Sequence, residues 1–330
     1  MYVKSNPMSI NNNKPHQWKA DIAASVDYYN NWFMQFAPEA YRATRQKTIQ
    51  KVQTAFQFCK NFKNLTKECL CEHPDILPVL RMSTCPPIAR DRLIGLSGVP
   101  SSLVQNMENE DNPRISPKLS EQVRNDHLIQ IIHVIKKLID KDIITWTDAY
   151  HSITDASIER ACTIIADRLC SAMSDPIIRN AQEQRQLACI SKWLNSHGYK
   201  YIESGSGIHY DNMPVGTYAY RMNIPVKVNP QNDRIINIPV DVVIKPKDAH
   251  PLQFPVLIEA KSAGDFTNVN KRRKEEATKI TQLKQTYGDH VELILFLCGY
   301  FDSGYLGYEA AEGIDWIWEH RVEDFELCGL

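Results

Sequence analysis

The chain has 330 residues, of which 43% are hydrophobic and 23% are charged, and such a composition excludes a disordered or fibrous protein. The formal net charge of −1 excludes a strongly basic protein, so a surface for a polyanion must come from local clusters of cations. The sequence has no apolar run of about 18 residues and no apolar secretory signal, which predicts a cytoplasmic protein without a transmembrane helix.

The N-terminal half is predicted to be almost wholly helical. Residues 1–15 are polar and Asn-rich, which predicts a mobile tail. Apolar side chains then recur at helical spacing in two helices, and Pro38 is expected in the first turn of the second. Further helices are expected up to a break at Pro176. We therefore place one helical region at residues 16–175.

A group of thiols and one imidazole lies between the second and third predicted helices. A zinc ion could be held by such a set, since thiolates and imidazoles are its usual ligands. The spacing is not that of a common zinc finger, and several prolines interrupt the stretch, which favours ordinary reduced cysteines. The sequence leaves open a zinc site at Cys69, Cys71, His73 and Cys85.

Residues 176–300 change character, from helices alone to alternating helix and strand. The predicted order is helix, three strands, helix and strand, with a long polar excursion at residues 204–233 between the first two strands. The last strand follows a crossover helix, so we expect it to lie parallel to a neighbour in a buried sheet. The fold class is therefore α+β, or α/β, with a mixed central sheet. Residues 301–330 are predicted to form an acidic helical segment.

Three charged residues interrupt two very apolar predicted strands. Asp241 lies between Val240 and Val242, and Glu259 and Lys261 share one strand face because side chains alternate along a strand. Buried charge is costly unless it is paired or binds a metal. The three groups are therefore expected to converge on one site, where carboxylate oxygens suit Mg²⁺. The alternative is a structural ion pair at the end of a strand.

This order of elements resembles the PD-(D/E)xK nuclease superfamily, whose core is an αβββαβ unit. The resemblance rests on Asp241 and on Glu259-Ala260-Lys261, although the motif's Pro-Asp is one residue wider here, as Pro239-Val240-Asp241. Two longer runs, residues 85–95 and 259–277, are similar to type II restriction endonucleases of the XamI family.

The resemblance implies Mg²⁺-dependent double-strand cleavage of DNA at a short palindrome of the GTCGAC type. It also implies a homodimer and a partner DNA methyltransferase in a bacterial cytoplasm. Asp241, Glu259 and the carbonyl of Ala260 would bind the metal, and Lys261 would be the catalytic lysine. Glu183 or Glu203 would supply an extra acid. The alternatives are a repair or junction-resolving nuclease on the same core, and a DNA-binding protein without catalysis.

Several cations are candidates for contact with DNA. Four of them begin the helix after the third strand, where the helix macrodipole disfavours cations, so an external phosphate is a reasonable partner. Others lie in the helical region, which we expect to recognise DNA or to form the dimer. The alternative is a solvated charged face. The candidates are Lys271, Arg272, Arg273, Lys274, Arg90, Arg92 and Arg221.

Overall fold

The computed structural model describes residues 9–147, 152–229, 232–250, 253–267 and 269–330. Contacts divide the chain into a sheet unit, residues 1–36 and 179–330, and a helical unit, residues 37–178. The boundary near residue 178 lies close to the one expected at residue 175. Residues 16–36, however, cluster with the sheet unit rather than with the helical region in which they were placed.

The helical unit packs around one apolar core that includes Leu70, Leu80, Leu93, Ile131 and Ile165. Helix α6 (Glu121–Leu138) illustrates why these segments are helical, since Ser120 caps its first turn and the buried side chains recur every three or four residues. The unit is built from parts of α1 (Pro15–Phe58) and α7 (Asp155–Ser196), from α2 (Lys67–Glu72), α3 (Leu77–Met82), α4 (Arg90–Ser97), α5 (Ser101–Met107) and α6 (Glu121–Leu138), and from 3₁₀ turns at Pro74–Ile76 and Thr145–Thr147.

Two expectations for the N-terminus are corrected. Pro38 does not begin a second helix but lies inside the 44-residue helix α1. The predicted tail is only partly described, since residues 1–8 lie outside the described part. In the described part of the tail, the backbone N–H groups of Ile10 and Asn11 donate hydrogen bonds of 2.7 and 2.8 Å to the carboxylate of Asp315. These bonds fix that part of the tail in place.

Among the described residues, the sheet unit contains six strands, numbered β1 to β6 along the chain, and their order in the sheet follows the sequence. The pairs β2–β3 and β3–β4 are antiparallel, while β1–β2, β4–β5 and β5–β6 are parallel. This confirms a mixed sheet that follows a largely helical half. The elements are β1 (Lys200–Tyr201), β2 (Thr217–Asn229), β3 (Asn232–Lys245), β4 (Val256–Ala263), α8 (Val269–Tyr287), β5 (Leu293–Gly299), α9 (Ser303–Ala311), β6 (Asp315–Trp318) and a 3₁₀ segment at Glu319–Cys328.

The two faces of the sheet have separate cores. On one face, Val243, Leu257, Leu295 and Trp316 pack with Ile280 and Leu283 of α8 and Tyr305 of α9. On the other face, Val242, Ile258 and Phe296 pack with Ile190 and Trp193 of α7. The central strands are therefore buried on both sides, as their continuous apolar sequences predicted.

Two strands differ from the expected ones. The polar excursion at residues 204–233 contains the whole of β2, a long strand paired antiparallel with β3. The acidic C-terminal segment contains β6, which pairs with β5 and buries Trp316, Ile317 and Trp318 completely. Both strands are surrounded by polar or acidic residues, which hid them in the sequence. In the described part of the chain, no helix is both long and apolar enough to cross a membrane.

Candidate active site

Strands β3 and β4 bring the two predicted acidic ligands side by side. Val242 pairs with Ile258 in the antiparallel register, and the next step along both strands places Asp241 opposite Glu259. Asp241 Oδ2 accepts a hydrogen bond of 2.9 Å from the N–H of Ala260. The acid of β3 is thus fixed against the backbone of β4.

Glu259 is almost fully buried, at 3% exposure, and it has two ammonium partners. Lys261 Nζ lies 3.2 Å from Glu259 Oε2. Lys279 Nζ, from α8, lies 2.6 Å from Glu259 Oε1 and donates to the carbonyl of Pro239 at 2.8 Å. The buried carboxylate is therefore paired on both oxygens, as burial of a charge requires.

Lys261 also faces a second acid. Its Nζ lies 3.7 Å from Glu276 Oε1 on α8, and Glu276 Oε2 accepts a hydrogen bond of 3.0 Å from the hydroxyl of Tyr305. From the opposite face of the sheet, buried Gln186 donates to the backbone carbonyl of Lys261 at 3.2 Å. Both the side chain and the backbone of Lys261 are thus held.

The electrostatics of the site reflect crowded carboxylates. Burial, and then the charge of Glu259, raise the pKa of Asp241, although the Ala260 N–H and the two lysines act in the opposite direction. Burial by itself lowers the pKa of Lys261, but the carboxylates of Glu259, Glu276 and Asp241 together raise it above its ordinary value. Lys261 therefore carries its charge at neutral pH.

The residues present fit a hard divalent cation. Two adjacent carboxylates, Asp241 and Glu259, repel each other, which is visible in the raised pKa of Asp241, and a cation between them would relieve that repulsion. The carbonyl of Ala260, between the two charged residues of β4, adds another oxygen of the kind that Mg²⁺ accepts. Within the described residues, no three His, Cys, Asp or Glu side chains form a metal cluster, so backbone, water or phosphate oxygens would complete the coordination.

Arg221 lies next to the site on β2. In the β2–β3 register it falls opposite Asp241, between the pairs Tyr220–Val242 and Met222–Val240. Its φ of +49° is unusual for a residue with a side chain. Its exposed guanidinium is paired with Glu183 of α7.

The two candidates for an extra acid are placed differently. Glu183 approaches the site only through its ion pair with Arg221. Glu203 is exposed in the turn after β1 and lines a cavity of about 680 Å³ together with Arg221 and Asn223. Neither carboxylate has a described contact with Asp241, Glu259 or Lys261, and the role of each stays a prediction.

The predicted DNA-contacting cations lie on several elements. Lys271 and Arg272 fall in the first turn of α8, but their side chains lie outside the described part. Arg273 stacks its guanidinium over Tyr308 at 3.8 Å, and Lys274 is exposed. In the helical unit, Arg90 and Arg92 are exposed on the first turn of α4.

The thiols suggested as zinc ligands are not gathered around a common centre. Cys69 Sγ lies 3.9 Å from Cys59 Sγ, and the ring of His73 stacks on Phe58 with centroids 3.4 Å apart. Cys85 is exposed. Among the residues that the structure describes, no cluster of metal-ligating side chains is found.

Sequence analysis missed Glu276, Lys279 and Tyr305. One signal was available, since Glu276 lies four and seven residues before Ile280 and Leu283, on the buried stripe of α8. An acid on such a stripe indicates a buried partner. No comparable signal marked Tyr305, because α9 was not separated from the acidic C-terminal segment.

Two comparisons with known proteins identify the family of this chain. The family model for XamI restriction endonucleases matches residues 60–318. The type II restriction enzyme SalI of Streptomyces albus G is 50% identical over 320 residues, which cover 97% of this chain and 99% of that protein. No solved structure matches the chain. The expected family is confirmed: the chain belongs to the XamI restriction endonucleases.

Proposed function

We propose that this protein is a type II restriction endonuclease that hydrolyses both strands of duplex DNA at one short palindrome, with Mg²⁺ as its cofactor. Membership of the family implies a DNA substrate and a divalent metal in general. The observation that carries the proposal is the convergence of Asp241, Glu259 and Lys261, which brings two acids and one ammonium group together beside an exposed arginine.

Each residue of the site has a distinct role in the proposal. Asp241, Glu259 and the carbonyl of Ala260 hold the cation, which when bound supplies Lewis acidity toward a phosphoryl oxygen. Lys261 orients the attacking water and offsets negative charge that develops on the phosphate. Attack by the water oxygen forms one P–O bond and breaks another, so the DNA strand is cut without a covalent enzyme intermediate.

DNA is bound by surfaces outside the catalytic trio. The basic first turn of α8, at residues 271–274, contacts phosphates, and so does Arg221 beside Asp241. Arg90 and Arg92 of the helical unit contact phosphates or base edges. Because a palindrome has twofold symmetry, two copies of the chain bind it as a homodimer. In the bacterial cytoplasm, a DNA methyltransferase of the same specificity protects the host.

Digestion of a plasmid tests the proposal. One plasmid carries a single GTCGAC site, the palindrome suggested by the family resemblance, and a matched plasmid has that site altered by one base pair. We expect Mg²⁺-dependent linearisation of the first plasmid only. Cleavage of both at another fixed sequence would support the enzyme class but change its specificity.

The other outcomes separate the alternative functions. Nicking that depends on branched or damaged DNA would indicate a repair or junction-resolving nuclease. Retention of the plasmid without cutting, with any divalent cation, would indicate a DNA-binding protein that lacks catalysis. Light scattering of the protein with a 20-base-pair duplex would test the homodimer, since a monomer-to-duplex ratio of one would contradict it.

A further inference from the structure

Lys261 has two carboxylate partners that come from different elements. Glu259 precedes it on β4, and Glu276 reaches it from α8, with N–O distances of 3.2 and 3.7 Å. Glu276 is 2% exposed. Its second oxygen is held by the hydroxyl of Tyr305, a buried residue of α9. The surroundings of the Lys261 ammonium group are therefore built from β4 of the sheet and from helices α8 and α9.

Glu259 cannot contact two ammonium groups and a divalent cation at the same time. It already pairs with Lys261 and Lys279, and under the function proposed above it also binds a divalent cation. An oxygen that ligates a cation does not keep an ammonium group at the same short distance, because the two positive charges repel. Lys279 has an alternative partner in the carbonyl of Pro239. The alternative partner of Lys261 is Glu276.

The burial of Glu276 is costly for the fold. A residue on this stripe of α8 would ordinarily be apolar, as Ile280 and Leu283 are, and a second buried acid, Glu309, lies nearby on α9. Burial, and then the charge of Glu276, raise the pKa of Glu309 to about 8. At neutral pH, Glu309 is therefore protonated, next to the Glu276 carboxylate that lies beside Lys261. A buried carboxylate in contact with the ammonium group of the site indicates a function for that pair.

We propose that Glu276, oriented by Tyr305, is a positioning residue that holds the ammonium group of Lys261 toward the scissile phosphate while Glu259 binds the cation. This inference rests on the proposed nuclease function. It assigns to α8 a part in catalysis in addition to the phosphate contacts at its first turn.

The test compares Glu276→Gln with Glu275→Gln, which removes the neighbouring exposed acid of the same helix. Single-turnover cleavage is measured with saturating protein and Mg²⁺, and DNA affinity is measured separately with Ca²⁺. For Glu276→Gln we expect the cleavage rate to fall by about 10²-fold, the loss that accompanies a misplaced catalytic group. The Kd for DNA should change by less than about twofold. The melting temperature should stay the same or rise, since a buried charge is removed. Glu275→Gln should match the wild type.

Two further variants keep the test decisive if Glu276→Gln folds poorly. Tyr305→Phe removes only the hydroxyl that orients Glu276, so it should reduce the rate less than Glu276→Gln and leave the Kd unchanged. Glu276→Asp keeps the charge and should recover part of the rate.

Three results would overturn the inference. The first is a wild-type cleavage rate in Glu276→Gln or in Tyr305→Phe. The second is a loss of rate matched by an equal loss of DNA affinity. The third is a lower melting temperature with no rescue by aspartate, which would indicate a structural role. If the wild-type protein itself does not cut DNA, that result contradicts the proposed function, and it is distinguishable from the three results above, which concern only the variants.

Discussion

Asp241 and Ala260 are joined by a 2.9 Å hydrogen bond from the backbone N–H of Ala260 to the carboxylate of Asp241. This bond crosses from β3 to β4 at the point where the charged residues of both strands meet. Asp241 is distant in the sequence from Glu259 and Lys261, and this bond fixes its position beside them. The site therefore depends on the pairing of β3 with β4. Its side chains can be substituted one at a time while that backbone pairing is kept.

Lys261→Ala should abolish cleavage and retain specific binding. The substitution removes the ammonium group that offsets charge on the phosphate, and loss of one such group costs about 10²–10³-fold in rate. Digestion with Mg²⁺ and gel-shift binding with Ca²⁺ measure the two properties separately. Unchanged cutting by this variant would reject the assignment of the active site.

Lys279→Ala should lower the Mg²⁺ concentration that gives half-maximal cleavage. The Lys279 ammonium lies 2.6 Å from Glu259 Oε1, where it competes with a cation for the same oxygen. Removing it leaves the carboxylate free for the metal, so we expect a shift of about tenfold, equivalent to about 1.4 kcal/mol. A titration of cleavage rate against Mg²⁺ checks this. A higher requirement would show that Lys279 supports the metal site rather than competing with it.

Arg221 offers a comparison of two substitutions at one strained position. Its φ of +49° suits glycine and not alanine, so Arg221→Gly should be more stable than Arg221→Ala by about 1–2 kcal/mol. Both variants lose the guanidinium and should bind DNA equally weakly. Urea unfolding gives the first comparison and gel-shift binding gives the second. Equal stabilities would contradict the left-handed backbone at this residue.

The sequence predicted that Asp241, Glu259 and Lys261 lie together, because they interrupt very apolar strands, a pattern that depends on local alternation. It also predicted the parallel strand β5, whose seven residues are all buried. It did not predict β6, since Trp316 and Trp318 stand in an acidic segment and their burial depends on pairing with β5. Nor did it predict Tyr305, whose contact with Glu276 joins residues far apart in the chain. Local sequence patterns therefore predicted the central strands and their charged residues. The positions of β6 and Tyr305 depend on tertiary contacts, which no local pattern shows.

Glu309→Gln should flatten the pH dependence of stability. Burial, and then the charge of Glu276, raise the pKa of Glu309 from its ordinary 4.5 to about 8, so the folded protein holds a proton that the unfolded chain releases. The resulting stabilisation is complete below about pH 4.5, declines as the pH rises toward 8, and is absent above that value. Melting temperatures from pH 5 to 9 measure the slope. The exposed Glu110→Gln, in the helical unit, serves as the control and should follow the wild type.

Lys274→Gln should weaken DNA binding without changing sequence preference. If the basic residues 271–274 near the start of α8 contact the phosphate backbone, loss of one cation should reduce the slope of log affinity against log salt by about 0.9. Binding to specific and unrelated duplexes is measured across a range of salt concentrations. The exposed Lys192→Gln, on α7 at the opposite face of the sheet, is the control. A loss confined to the specific duplex would point instead to base contacts.

The charge balance of the described site has one more consequence. Three carboxylates, of Asp241, Glu259 and Glu276, stand against two ammonium groups, of Lys261 and Lys279, which leaves a net charge of −1. A phosphodiester that approaches these groups without a metal ion would be repelled, because it carries the same sign. A divalent ion reverses the sign to +1. We therefore expect an order of binding. The metal ion binds before the scissile phosphate or together with it, because the phosphate is repelled until the ion is present.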